Sequence, residues 1–224
     1  MKKLILFILL MLPVAVFGQN DVTTFLGIPV DGTKTAFIQK LKAKGFVPCP
    51  NYDLKGRFNG RDVYIDVQTN NNKVCRVVVE DQQYQNDVDI AIRFNTLLRQ
   101  FRSNEKYMEF PVPNEMIEDG TDMFHEIRVK NKRFQASFYQ RPNNVDPDDK
   151  AKAKALQDKI EKMKENGSES TFSLFTEVLG DLSGLYEKYL KYKLVWFMID
   201  EHYGEFKIAL FYENGHNMAN GEDL

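Results

Sequence analysis

The sequence predicts an α+β protein in which helices lie on one side of antiparallel sheet. Three observations lead to this prediction. Amphipathic segments carry clear helix-end signals, strand-like segments with tight turns follow them, and this order occurs twice along the chain. Short turns join antiparallel neighbours, whereas parallel strands need long crossovers. We therefore predict two helix-plus-meander units, at residues 19–83 and 84–213.

The first helix is predicted over residues 33–45. Thr33 follows a turn and can cap the helix, because its hydroxyl accepts a hydrogen bond from a free backbone amide. Phe37 and Leu41 share one face, and lysines occupy the opposite face. Gly45 is placed to end the helix in the left-handed conformation. The segment is therefore a short helix that lies on an apolar surface.

Three strand-like segments follow, at residues 54–59, 62–68 and 73–81. Asn59-Gly60 is a hairpin signal, and residues 69–72 form a second turn. In the middle segment, apolar and polar residues alternate, so one face is predicted to be buried and the other to face solvent. We predict a candidate binding face from the residues on the solvent side: Asp62, Tyr64 and Asp66. The alternative is an ordinary solvated strand face.

The second unit begins with a helix from 87 to about 102, capped by Asn86. Residues 122–140 are predicted to form a hairpin that turns near Asn131, with His125 at a core or boundary position. Residues 193–213 are predicted to form another hairpin, which turns at Tyr203-Gly204. The strands of this last hairpin are apolar on both faces, which predicts central strands covered on both sides.

A helical insertion is predicted at 146–192, between these two hairpins. Asp146 is its cap and Pro147 its first helical residue, and the first helix ends near Gly167. The more apolar remainder contains Gly180, near which two short helices could meet. Residues 214–224 lack an apolar pattern and are predicted to form a flexible tail.

The N-terminal residues 1–18 have the pattern of a cleavable secretory signal. Two lysines precede an apolar run that is shorter than the roughly twenty residues a membrane-spanning helix needs. The cut is predicted near Gly18/Gln19, and no cysteine stands there to carry a lipid. We therefore expect a periplasmic or secreted protein, with no membrane span after cleavage.

Composition and cysteine content limit the function further. A formal net charge of −2 without a clustered basic surface argues against nucleic acid as a partner. The two cysteines, Cys49 and Cys75, allow either a structural disulfide in an exported chain or two separate buried thiols. Spacing alone does not decide between them.

The sequence singles out no catalytic, cofactor-binding or metal-binding residue. Motifs such as GxSxG, HExxH, the Walker loop and GxGxxG are absent from it. His202 follows two acidic residues, but neighbouring strand residues alternate between faces and do not converge on a metal. The enzyme alternative is a hydrolase that uses His125 or His202 with nearby carboxylates.

The helix-plus-meander order resembles the beta-lactamase-inhibitor-protein fold and the small outer-membrane-assembly lipoproteins of the SmpA/OmlA type. The segment GIPVDGTKTAFIQKLKAKGF also resembles the start of secreted proteins of Bacteroidetes-type bacteria. The resemblance implies helices on one side of an antiparallel sheet, and no functional residue carries over. Together with export, it favours a non-enzymatic binding protein of the cell envelope, whose partner is another envelope protein or a small ligand. A further alternative is a ligand carrier with a pocket between the insertion and the last hairpin.

Overall fold

The computed structural model describes residues 21–109, 114–166 and 180–219. The predicted signal segment 1–18 lies outside the described residues, as does most of the predicted junction before Gly180. Within the described parts the fold is α+β with antiparallel sheets, which confirms the predicted fold class. No helix among these residues is long and apolar enough to cross a membrane.

The helices are α1 (Lys34–Lys42), α2 (Asp87–Ser103) and α3 (Pro147–Asn166). The strands are β1 (Thr24–Phe25), β2 (Ile28–Pro29), β3 (Val47–Cys49), β4 (Tyr52–Phe58), β5 (Arg61–Asn70), β6 (Lys73–Asp81), β7 (Tyr107–Met108), β8 (Gln135–Gln140), β9 (Leu194–His202) and β10 (Glu205–Glu213). Short π-helical turns span His125–Val129 and Tyr186–Leu190, and a 3-10 turn spans Gly215–Asn217.

One antiparallel sheet of eight strands joins the two halves of the chain. Its order is β3-β4-β5-β6-β10-β9-β8-β7, so each half contributes four neighbouring strands. The last strand of each half lies at the centre, where β6 pairs with β10 in the register Leu210↔Val79. The strands β1 and β2 form a separate small hairpin.

The local signals at the helix ends are confirmed. The hydroxyl of Thr33 accepts a hydrogen bond from the Ala36 amide at 3.3 Å, and the Asn86 side chain accepts one from the Asp89 amide at 2.9 Å. Asp146 likewise accepts from the amide of Asp148 at the start of α3. Gly45 has a φ of +97°, the left-handed conformation expected just beyond a helix.

The core lies between the sheet and the helices α1 and α2. Its largest part is a group of stacked and edge-on phenylalanine rings around Phe197 of β9. Phe94 of α2 lies 5.0 Å from this ring, Phe101 lies 5.7 Å away, and Phe138 of β8 lies 6.4 Å away, measured between ring centroids. We call the sheet face that carries this core the inner face and the opposite face the outer face.

The predicted hairpin at 122–140 is wrong over its first half. Residues 123–129 are helical, and only Gln135–Gln140 form a strand. Met123 is buried and Ile127 packs against the core; their spacing of four residues fits a helical turn as well as strand alternation. His125 is consequently exposed on this turn, not at the predicted core or boundary position.

The final hairpin forms as predicted, and its strands are central. Tyr203 and Gly204 both have positive φ, 52° and 83°, as a tight primed turn requires. On the inner face Phe197 is fully buried. On the outer face Ala209 of β10 is buried, whereas Trp196 and Met198 of β9 are half-buried, so the cover on that side is only partial.

The two cysteines are free thiols, so the disulfide interpretation is not supported. Cys49 lies in β3 at the sheet edge, and Cys75 lies in β6, with β4 and β5 between them. Strands are spaced about 4.8 Å apart, which places the two thiols well beyond the roughly 7 Å limit for a bridge. Separate thiols, one of the two interpretations left open by the sequence, are what the structure contains.

The start of the predicted flexible tail is anchored. Asn214 is buried and donates a hydrogen bond to the Val30 carbonyl at 2.8 Å. Asn217 donates to the Asp31 carboxylate and to the Val74 carbonyl, each at 2.8 Å. The segment is held by hydrogen bonds from side-chain amides and not by apolar contacts. The absence of an apolar pattern in the sequence therefore led to the prediction of a flexible tail.

We expect Gly56→Ala to destabilise the protein by about 1–3 kcal/mol through overpacking. A Cβ at Gly56 would lie only 2.5 Å from Cδ1 of the Phe46 ring, and Phe46 is itself buried. Urea unfolding followed by circular dichroism measures the change. Lys55→Ala, at the exposed neighbouring position, is the matched control; equal stability of the two variants would contradict this packing argument.

Candidate functional site

The outer face of the sheet carries a row of aromatic side chains. At its β4–β5 end, the rings of Tyr52 and Tyr64 are stacked, with centroids 4.3 Å apart and planes 4° apart. Tyr64 projects outward because Val63 and Ile65, its neighbours in β5, face the core. The Tyr52 hydroxyl donates a hydrogen bond to Oε2 of Glu80 at 3.4 Å. Burial, and then the charge of Glu80, raise the pKa of this hydroxyl.

An ion pair continues the row across the middle of the sheet. Lys207 of β10 lies 2.6 Å from Glu80 of β6, measured from Nζ to Oε2, and Lys207 is only 8% exposed. Burial works to lower the pKa of Lys207, but the hydrogen bond and charge of Glu80 outweigh it and the pKa is raised. The same ammonium lies 5.2 Å from the ring centroid of Tyr84. The pair therefore holds a cation against an aromatic face.

Three rings complete the row at the tip of the last hairpin. Tyr84 stacks on His202 at 6.1 Å, and His202 lies edge-on to Tyr203 at 4.4 Å. Tyr84 is 39% exposed and Tyr203 is 88% exposed. We name the five rings of this row the aromatic strip: Tyr52, Tyr64, Tyr84, His202 and Tyr203.

A second aromatic group lies on the same face, over β9 and β10. The rings of Trp196 and Phe211 are stacked, with centroids 4.0 Å apart. Glu213 holds the group together, because it accepts hydrogen bonds from Trp196 Nε1 at 2.8 Å and from Arg76 Nη2 at 2.7 Å. The Arg76 guanidinium also lies 5.7 Å from the Phe211 centroid. The result is a half-buried flat surface whose side chains are already oriented.

Of the predicted binding face, only Tyr64 belongs to the aromatic strip. Asp66 is half-buried near Asp53, and burial followed by the Asp53 carboxylate raises its pKa. Asp53 in turn forms an ion pair with Lys34 of α1, with 2.8 Å between Oδ2 and Nζ. Asp53 also accepts a hydrogen bond from the backbone amide of Val67. Asp62 is exposed at the opposite end of β5. The structure therefore does not bring the two predicted aspartates together.

Sequence reasoning missed most of the strip. Tyr84 lies in the loop before α2 and His202 at the end of β9, so their contact depends on how β6 and β10 pair. The local signal that was available is Tyr203, an aromatic residue at a turn position that asparagine usually occupies. Lys207 and Glu80 gave no signal, because charged residues in strands are usually solvated.

The geometry gives the hydrolase alternative little support. A catalytic histidine is normally held by a hydrogen-bonded carboxylate. Among the residues that the structure describes, neither His125 nor His202 makes such a bond, and the two lie on different elements. The described ranges also contain no group of three acidic, histidine or cysteine side chains positioned to hold a metal ion.

The ligand-carrier alternative predicted an apolar pocket beside the insertion. A hollow of about 790 Å³ does lie there, next to Lys191 and Tyr192. Its other walls are mainly polar, including Asn70, Lys73 and His216. This hollow therefore lacks the apolar lining that the alternative requires.

Comparison with protein-family models, with curated proteins and with solved structures gave no match for this chain. The function therefore has to be inferred from the side chains themselves. Their outstanding feature is an ordered, aromatic and partly exposed outer sheet face.

Proposed function

We propose that this chain is an exported, non-enzymatic binding protein of the bacterial cell envelope, and that it contacts a partner protein through its outer sheet face. The observation that carries the proposal is the aromatic strip, in which each ring contacts another ring of the strip. Tyrosine, tryptophan and arginine are the residues most enriched at the energetic centres of protein interfaces.

The strip is suited to binding because its side chains lose little freedom when a partner docks. Tyr52 and Tyr64 restrain each other by stacking, and Lys207 is fixed by Glu80. Ordering a mobile side chain costs about 0.5–1.5 kcal/mol at an interface. A surface whose side chains are already ordered avoids much of that cost.

The N-terminal sequence pattern and the fold resemblance support the proposed envelope location. The N-terminal pattern of residues 1–18 is that of a cleavable signal. Helices α1 and α2 both pack on the inner face, as the resemblance to the inhibitor-protein and assembly-lipoprotein folds implies. That resemblance concerns fold alone and carries no residue-level function.

The proposal is tested by crosslinking and affinity capture of the tagged mature protein in cells of the source organism. The test variant is Tyr84→Ser/Tyr203→Asn, which removes two exposed rings and keeps a residue suited to the left-handed turn at 203. We expect a specific envelope protein to be captured by the wild type and its capture by the variant to fall about 30-fold, as for loss of an interface hot spot.

The matched control is Val88→Ser/Ile92→Ser, which removes two exposed apolar side chains from α2. The control should capture the same partner as the wild type. Equal capture by all three proteins, or loss of capture in the α2 variant alone, would rule out the outer face as the binding surface.

A further inference from the structure

One side of α2 carries a stripe of residues outside its contact with the sheet. Val88, Ile92 and Asn95 lie at i, i+4 and i+7, so they follow one line along the helix. Asn95 is buried, whereas Val88 is 66% exposed and Ile92 is 57% exposed. Single exposed apolar residues are ordinary, but two on adjoining turns form a continuous apolar surface.

Residues 114–118 cover the C-terminal end of this stripe. The Asn95 side chain donates a hydrogen bond to the Ile117 carbonyl at 2.8 Å and accepts one from the Ile117 amide at 2.9 Å. Met116, the preceding residue, is 44% exposed, so it adds a third apolar side chain beside the stripe. The paired hydrogen bonds fix this segment against α2, and the surface is therefore formed before a partner binds.

The charged residues next to this surface are mainly acidic. From residue 114 to residue 125 the chain has neither lysine nor arginine, and it carries these carboxylates: Glu115, Glu118, Asp119 and Asp122. Asp87 and Asp89 flank Val88 in the first turn of α2. In the parts of the chain that the structure describes, none of these carboxylates forms an ion pair.

Glu118 and Asp119 are the carboxylates best placed to attract a cation. Both are exposed, and both follow directly after the anchored Ile117. Glu115 contributes less, because it lines a small hollow together with Lys132 and Arg133 on the β8 side. The acidic surface therefore lies beyond Ile117 and at the start of α2.

Charge and shape together define the partner that fits this surface. Clustered carboxylates repel anionic lipid and nucleic acid and attract a cationic partner. An apolar line along a helix packs well against a second helix that has apolar residues at the same spacing.

We propose that this side of α2 docks a cationic amphipathic helix of a partner protein. The apolar face of that helix lies on Val88, Ile92 and Met116, and its lysines and arginines lie opposite Glu118 and Asp119. Since α2 packs on the inner face of the sheet, this surface is separate from the aromatic strip. The proposal does not depend on partner binding at the outer face.

Fluorescence anisotropy of a labelled synthetic peptide, titrated with the mature protein, tests the proposal. The probe is an amphipathic helix of leucine and lysine. One control peptide has glutamate in place of each lysine, and a second has the same composition in scrambled order. We expect the probe to bind at least about tenfold more tightly than either control, because it alone combines the apolar face with the opposite charge. Absence of probe binding, or equal binding of either control peptide, would overturn the proposal.

Two variants remove the apolar part of the surface. Val88→Ser/Ile92→Ser and Met116→Gln should weaken binding of the probe about thirtyfold and about fivefold, respectively. Since all three side chains are exposed, both variants should unfold within about 2–4 °C of the wild type. Wild-type affinity in either folded variant would contradict the assigned contact.

A charge variant tests the acidic part of the surface. Glu118→Gln/Asp119→Asn should weaken binding of the probe about fivefold, and the loss should shrink at high salt, where exposed charges are screened. Glu105→Gln/Asp148→Asn removes two exposed carboxylates elsewhere and is the matched control, which should bind as the wild type does. Equal losses in the two charge variants would mean that the probe senses net charge alone, and the proposal would fail.

The outer-face variant separates this surface from the aromatic strip. Tyr84→Ser/Tyr203→Asn should bind the probe with wild-type affinity, although it loses the partner proposed for the strip. Val88→Ser/Ile92→Ser should show the reverse pattern. Loss of probe binding in the tyrosine variant alone would place the peptide on the outer face and overturn this proposal.

Discussion

Replacing Phe197 with alanine is expected to destabilise the protein by about 3–5 kcal/mol, the range for removal of a fully buried phenylalanine. The ring is completely buried on the inner face of β9. It contacts three other rings from two elements: Phe94 and Phe101 of α2 and Phe138 of β8. The variant leaves a cavity that none of these elements can fill without moving another.

Chemical unfolding of the wild type and the variant, fitted to a two-state transition, measures this loss. Phe124→Ala is the matched control, because Phe124 is 49% exposed on the short helical turn before β8. The control should lie within about 0.5 kcal/mol of the wild type. If Phe197→Ala lowers the free energy of unfolding by less than about 1 kcal/mol, the core is centred elsewhere.

The second large effect is expected at the buried ion pair between α2 and β6. Arg93 Nε lies 3.1 Å from Asp81 Oδ2, and the two side chains are 7% and 5% exposed. A second hydrogen bond, from Nη2 to Oδ1 at 3.2 Å, makes the pair bidentate. Asp81→Ala should cost about 3–5 kcal/mol, because it leaves the guanidinium buried without a counter-charge.

The double variant Asp81→Leu/Arg93→Met separates the effect of an unpaired buried charge from the effect of changed packing at this site. Both charges are then replaced by apolar groups of similar size, and stability should recover to within about 1–2 kcal/mol of the wild type. Urea unfolding of the single and double variants in parallel gives the comparison. If the double variant is as unstable as Asp81→Ala, packing at this site, not the unpaired charge, is the cause.

Local structure could be predicted because its signals are local. The caps at Thr33 and Asn86 act within one helical turn, and Asn59-Gly60 defines its own hairpin. The wrong prediction of a strand at 122–129 also results from relying on local signals. Met123 and Ile127 satisfy both the helical and the strand period, so the local pattern alone could not decide.

The candidate surfaces could not be predicted in this way. Tyr64, Tyr84 and Tyr203 come from three elements distant in sequence, and they share one row only because β6 pairs with β10. Such neighbours are fixed by tertiary pairing, for which a single sequence without strong motifs gives no register.

The central pairing of β6 with β10 also constrains the order of folding. Residues 76–80 meet residues 209–213, so the middle of the sheet joins segments that are about 130 residues apart in sequence. Contacts this distant in sequence form slowly, because a long loop must close first. During synthesis, β6 has an open edge until β10 has emerged, and an open edge readily pairs with other chains. The last strand is thus the one that closes the sheet and protects the nascent chain from aggregation.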